Sequence, residues 1–290
     1  MMNLRPFFTL TFLWFSIAVH AQNSVLWEIS GNGLTTSSYL MGTLKFMGEK
    51  EFFIPPQAVE HMKSCKIFAI EDQVDHHAQH ELNEAVHFPK GRSLKTELKS
   101  EDYATVQNFF VKEFNISASK FDTHYAKLIP LALSMTMTRL SLGEGVRFYD
   151  IELLKIAKKS KLETYSLEPI EREAAALHQY PMPDQAHALM QSVANFENMK
   201  QEFKNLMSDY PQGDLEKIFQ YTLHPTENNP AFITEFYTKR NHEWLPKIDK
   251  MVHDKPAFIT VGVSHLEGEQ GLLSLLRSKG YTLTPVKISR

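Results

Sequence analysis

AFITVGVSH at residues 257–265 and SSYLMGTLK at residues 37–45 read alike. Each is a short apolar run, then a glycine, two further residues and a polar side chain: Gly262 leads to His265, and Gly42 leads to Lys45. Apolar runs of this length, bounded by glycine, predict buried strands. The glycine permits a tight turn just before the polar group. KIFAIED at 66–72 is a third run, ended by Glu71 and Asp72, and ETYSLE at 163–168 is a fourth, ended by Glu168. In open α/β sheets, ligands bind outside the carboxyl ends of strands. Lys45, Glu71, Asp72, Glu168 and His265 are therefore candidates for one shared site, although they are far apart in the chain.

Working outward, VLWEISG at 25–31 and YTLTPVKI at 281–288 add strands at the two ends. The intervening chain reads as helix. After Pro55-Pro56 a short helix is predicted over 57–65. Ser100 is expected to cap 101–113, with Glu101 and Asp102 in the first turn. Pro130 suits the start of a helix to Leu140, apolar on most sides and predicted to be buried. Asp150 is read as the cap of 151–159 in preference to a site role. Further helices are predicted over 184–206, 213–223 and 230–252, the last kinked or broken at Pro246. A helix over 268–279 is closed by Gly280. The expected fold class is α/β (α+β): a single domain with a mixed central sheet built from both chain ends, and a helical middle, about 101–252, packed on it.

The 290 residues carry a formal net charge of −3, with 43% hydrophobic and 22% charged residues, ordinary values for a globular protein. Nucleic-acid binders are usually strongly basic, so no nucleic-acid partner is expected. The single cysteine, Cys65, excludes an internal disulfide framework and every multi-cysteine zinc site, and its surroundings predict a buried, inert thiol. Arg5, the apolar run 7–19 and the small-residue site Val19-His20-Ala21 predict a secretory signal peptide over 1–21. The domain at 22–290 is then exported, to a periplasmic or extracellular location. No later segment is long and apolar enough to span a bilayer, so an integral membrane protein is not expected. His76, His77, His80 and His87, with Asp75 and Glu84, read as an exposed helix and do not form the His-Glu-x-x-His zinc motif.

The chain resembles the TraB/GumN family, which includes the TIKI proteases and the PrgY pheromone-shutdown proteins. The resemblance rests on YLMGTLKFMGEKEFFIPPQAVEHM at 39–62, KIFAIE at 66–71, YSLEPIERE at 165–173, Gly213-Asp214, KRNHEWLPKI at 239–248 and ITVGVSHLEGEQGLLSLLRSKGYTLTPV at 259–286. It implies an erythromycin-esterase/ChaN-like fold with two Gly-x-x-His motifs, a characteristic Glu and Arg, and metal-dependent cleavage of a peptide or protein. On this chain the second motif is Gly262 to His265, the glutamate is Glu71 and the arginine is Arg240. These imply Glu71, Arg240 and His265 as catalytic residues. Lys45, Gly42, Gly262, Asp72 and Glu168 would be binding residues, and His265 and Glu71 the ligands of any divalent metal ion. Packing of Arg240 over the ring of Trp244, one turn on, is the alternative for that side chain.

The first motif departs from the pattern, because Lys45 stands where histidine is expected. A neutral imidazole offers a lone pair, whereas an ammonium offers three donors and a positive charge. With a reference pKa of about 10.4, a lysine ligates metal only after a large shift. Lys45 is expected instead to take the cation's place, paired with Glu71 or Asp72, and no cofactor is then needed. Two functions follow from the resemblance: a metal-dependent peptidase-type hydrolase, or a metal-free pseudoenzyme or peptide-binding protein using the same cleft.

Overall fold

The computed structural model describes residues 23–143, 145–222 and 228–290, so the predicted leader over 1–21 lies outside the described residues. Among the described residues eight strands form, in chain order β1 (Leu26–Gly31), β2 (Ser38–Thr43), β3 (Met47–Gly48), β4 (Ile67–Ile70), β5 (Val146–Arg147), β6 (Glu163–Ser166), β7 (Ala257–Gly262) and β8 (Tyr281–Val286). Six of them make one mixed sheet in the order β6-β4-β7-β2-β1-β8, while β3 and β5 pair separately. Within the large sheet β1 alone runs antiparallel to its neighbours. Buried strands read as continuous apolar runs, and IFAI of β4 and AFITV of β7 do so. The edge strand β6 is short and mostly exposed, which limits unwanted edge pairing.

The connections decide where a ligand fits. From β2 the chain steps to β4 and then β6, toward one edge; from β7 it steps the other way, to β8. Strand β7, made near the end of the chain, fills the gap between β2 and β4. This reversal opens a crevice at the carboxyl ends of β2, β7 and β4. The helical middle closes over it. Its buried aromatic and aliphatic residues, among them Phe110, Phe121, Leu133, Met137 and Phe196, form a second core beside the one that covers the sheet. The fold is thus a single-domain α/β architecture with the mixed sheet drawn from both chain ends.

Several helix ends differ from the sequence reading. The helix Ser100–Phe114 begins one residue earlier than expected, and Lys99 occupies the cap position. The stretch expected to be one helix over 184–206 is two, Met182–Ala194 and Phe196–Asp209, divided at Asn195. The Asn195 side chain donates to Gln191 O at 3.0 Å, the local competition with backbone pairing that makes asparagine a helix terminator. The helix Arg240–Asp254 continues through Pro246. Buried Trp244 and Leu245 on one side of the proline and Ile248 and Val252 on the other anchor it to the core, outweighing the lost backbone bond. Before Arg240 the chain is wound as a π-helix, Ile233–Lys239, a form frequent at functional sites. Cys65 is buried and unpaired, and burial pushes its thiol up to about 12. The histidine-rich segment is the largely exposed helix His76–Ala85, capped by the Asp75 carboxylate on Ala78 N–H at 2.9 Å.

Gly42 joins the two motifs directly. A Cβ there would lie 2.9 Å from Val263 Cα and 2.7 Å from Leu266 Cδ1, in the turn that carries His265. Its carbonyl accepts from the Tyr210 hydroxyl at 2.6 Å. Gly42→Ala must push that backbone aside, and overpacking of this kind costs about 1–3 kcal/mol. A urea unfolding midpoint unchanged in Gly42→Ala would contradict the close approach.

Candidate functional site

The sheet order makes the four strand ends neighbours. Ordered across the sheet, β6 leads to Glu168, β4 to Glu71 and Asp72, β7 to His265, and β2 to Lys45. Lys45, Glu71, Gly262 and His265 line one cavity of about 250 Å³. Gly42 and Glu168 are buried behind it, and Asp72 flanks Lys45 and Glu71.

Arg240 holds the deep end together. It is fully buried. Its Nε donates to Glu168 Oε1 at 2.8 Å and its Nη2 lies 2.7 Å from the same oxygen. Nη2 also donates to Glu71 Oε2 at 3.2 Å, and Nη1 donates to Phe236 O at 3.2 Å. The guanidinium lies over the rings of Phe236 and Trp244, 4.5 and 4.7 Å from their centroids. Packing on Trp244 and pairing with carboxylates therefore occur together. Glu168 accepts from Trp244 Nε1 at 2.8 Å. Burial raises the Glu168 pKa even though Arg240 and Trp244 oppose it. Glu71 Oε1 accepts the backbone N–H of Gly262. The absent side chain of Gly262 leaves room, since a Cβ would lie 3.2 Å from that oxygen.

His265 has one tautomer. Asn241 Nδ2 donates to His265 O at 3.2 Å and to Gln270 O at 2.8 Å, which turns the Asn241 carbonyl oxygen to the imidazole. Nδ1–H of His265 donates to that oxygen at 2.7 Å. Nε2 is left with its lone pair, 3.9 Å from Glu71 Oε1 and 3.4 Å from Arg240 Nη1. Burial, and then the neighbouring guanidinium, hold the imidazole pKa well below its ordinary value, so it stays neutral.

At the mouth, Lys45 pairs with Glu173 rather than with Glu71 or Asp72. Its Nζ is 3.6 Å from Glu173 Oε1, with the lysine side chain 45% exposed and the glutamate 7%. The reason is a helix absent from the sequence reading, Ile170–His178, which follows β6 and delivers Glu173 from its buried face. The Lys45 pKa is raised, first by Glu173 and also by Asp72, Asp150 and Glu71. Burial acts to raise Glu173, but Lys45, a hydrogen bond with Asp72 and the charge of Arg240 together outweigh it, and the carboxyl is held down to about 2. Asp72 is pushed up to about 9, first by burial and then by Glu173, so it carries a proton at neutral pH. Asp150 is no cap: the helix is Tyr149–Lys159, with Phe148 at the cap position. It lines the cavity, 3.4 Å from Thr43 Oγ1, and burial pushes it up to about 7 against the pull of Lys45.

The donor set does not suit a divalent metal. Two groups converge, the His265 lone pair and Glu71. Both Glu71 oxygens already accept hydrogen bonds, and Arg240 Nη1 faces the His265 lone pair. The position of the first-motif histidine holds an ammonium instead. Among the described residues no group of three or more His, Cys, Asp or Glu side chains could hold a metal ion, where zinc sites use three or four ligands.

Two outcomes follow. Arg240→Met leaves Glu168 and Glu71 without their cation, and breaking a buried pair costs about 3–5 kcal/mol; a loss below about 1 kcal/mol in chemical denaturation would show that the carboxylates do not need it. The pH dependence has a definite sign. Folded Asp72 binds a proton that the unfolded chain releases above about 3.9. It therefore lowers stability as pH rises from there toward about 9. His265 is neutral when folded and protonated when unfolded below about pH 6.5, so it lowers stability as pH falls through that value. Asp72→Asn should remove the fall in stability between about pH 4 and pH 9 and leave the loss of stability on the acid side that His265 causes, read from urea midpoints across pH.

With the geometry in place, comparison with known proteins assigns the family. The family profile described as "TraB/PrgY/gumN family" matches residues 25–285. The protein named Metalloprotease TIKI1 of Danio rerio is 21% identical over 310 residues, an alignment covering 89% of this chain and 62% of that protein. The chain thus spans less than two thirds of that relative's length. No solved structure matches. The extent of the profile match, from the start of the sheet's first strand to the end of its last, shows that this chain belongs to the TraB/PrgY/gumN family.

Proposed function

We propose that this chain is a metal-free member of its family that binds a peptide or protein segment in the cavity at the strand ends, without the metal-assisted hydrolysis that the name of its zebrafish relative states for that protein. The observation that carries the reading is the cation balance. Arg240 bridges Glu71 and Glu168, and Lys45 pairs with Glu173, so protein side chains supply the positive charge that a divalent ion would bring. The cavity is predominantly apolar, with one end lined by charged groups, as small binding sites commonly are. Each Glu71 oxygen keeps a second lone pair for an N–H group of a bound chain.

The competing reading is a metal-dependent peptidase in which Glu71 is ligand or base, Arg240 stabilises developing negative charge and His265 ligates. It is favoured by the convergence of Glu71 Oε1 and His265 Nε2, 3.9 Å apart, and by the name of the zebrafish relative. Metal analysis separates the two. The purified chain is expected to hold far less than one equivalent of zinc, manganese or cobalt, and to bind peptide equally well after chelation. One equivalent of metal per chain, lost in His265→Ala, would overturn the metal-free reading. Restoring the first motif by Lys45→His tests whether a single substitution disabled a metal site: if neither metal content nor peptide cleavage rises, it did not.

The proposal places the chain outside the cytoplasm, after removal of residues 1–21. Arg5, the apolar run and Val19-His20-Ala21 support it. No helix of the described residues is long and apolar enough to cross a membrane. Mass spectrometry of the exported chain should give an N-terminus at Gln22; a full-length chain retained in the cytoplasm would refute it.

A further inference from the structure

The cavity is asymmetric in charge as well as in polarity. Three carboxyl groups line it, Glu71, Asp150 and Glu173, against one ammonium, Lys45; His265 is neutral and Arg240 lies behind the wall. Glu173 is 5% exposed, and its Oε2 has no hydrogen-bond partner in the geometry of the described residues. Lys45 and Asp72 lie beside it. The remaining wall is aromatic and aliphatic. Phe46, Phe203, Tyr221, Phe232, Phe236 and Tyr237 all contribute to it. An anionic head would meet three carboxyl groups and a lysine that is already paired. A cationic head would meet acceptors, with aromatic faces beside it that also attract cations. The volume of about 250 Å³ leaves room for a large apolar side chain beside the ammonium.

We infer that the cavity recognises an ammonium carried next to a bulky apolar group, and specifically the free amino terminus of a peptide whose first residue is large and apolar. The α-ammonium sits among Glu71, Asp150 and Glu173, and the first side chain fills the aromatic end. This rests on the peptide-binding reading above and adds which end of the peptide is bound. Burial, with smaller contributions from Glu71 and Glu173, pushes Asp150 up to about 7, and a cation held beside it would favour its charged form. Lys45 is then a competitor for the same carboxylates, and its removal should favour the ligand.

The test uses four probes on the unmodified protein, by calorimetry at neutral pH: Phe-Ala-Ala-Ala amide, its N-acetylated form, Gly-Ala-Ala-Ala amide and phenethylamine. Acetylation removes the charge without touching the side chain, and charge-assisted hydrogen bonds are strong enough that affinity should fall about tenfold or more. The glycine peptide and phenethylamine should each bind more weakly than the phenylalanine peptide. Lys45→Met should strengthen the free-amine peptide and leave the acetylated one unchanged, and Asp150→Asn should weaken only the free-amine peptide. Equal binding of the free and acetylated peptides would overturn this inference and leave peptide binding intact. Phenethylamine binding as tightly as the peptide would overturn the assignment to a peptide terminus. Failure of every peptide to bind would remove both readings together.

Discussion

A guanidinium with no access to water fixes what the rest of the site can be. Arg240 is fully enclosed, and an unpaired buried charge is far too costly to persist. It must therefore have carboxylates, and two strand ends provide them, Glu168 after β6 and Glu71 after β4. Glu71 in turn holds the backbone of Gly262 at the end of β7, where the chain turns to present His265. One cation thus ties three adjacent strands to one helix. The arrangement places Glu71 and His265 at a common surface and denies the imidazole a second proton. The same pairing that makes the site rigid also engages the Glu71 and Glu168 oxygens that a divalent metal ion at the deep end would need.

The strand ends were legible because the physics behind them is local. An apolar run that stops at a glycine or a charge marks a buried strand reaching the sheet edge, and Lys45, Glu71, Glu168 and His265 each follow such a run. The side-by-side placement of those ends was not legible, since it depends on β7, near the end of the chain, inserting between β2 and β4, near its start. Arg240 had a signal of its own: it falls in register with Trp244, Ile248 and Val252, the buried stripe of its helix. Glu173 had the same kind of signal and went unread. It lies three residues after Ile170 and three before Ala176, a carboxylate on an apolar stripe. A charge in that register is buried and must have a partner, which the strand-end pattern did not supply.

Asp150 shows the opposite error. An aspartate just before an amphipathic run reads as a helix cap, and capping is its commonest role. Here the helix begins at Tyr149, and the aspartate in its first turn faces the cavity. The π-wound turn before Arg240 had no sequence signal either. Its aromatic residues, Phe236 and Tyr237, contribute to the cavity wall, and the Phe236 carbonyl accepts from the guanidinium.

The strand order has a consequence for how the molecule comes into being. A ribosome delivers β2, β4 and β6 long before β7, yet β4 and β2 have no hydrogen bonds to each other. Until residues 257–262 emerge, the growing chain has a vacant slot at the centre of its sheet, and the carboxylate of Glu71 lacks both the Gly262 amide and, until just before, Arg240. Non-local pairings of this kind fold slowly, because the closure entropy is spent before the contacts form. The two strands flanking the slot are apolar and unpaired on those edges, the kind of surface that aggregates when exposed. Sheet and site are therefore completed in one late event by the last tenth of the chain, and a nascent chain stalled or clipped before that point has neither.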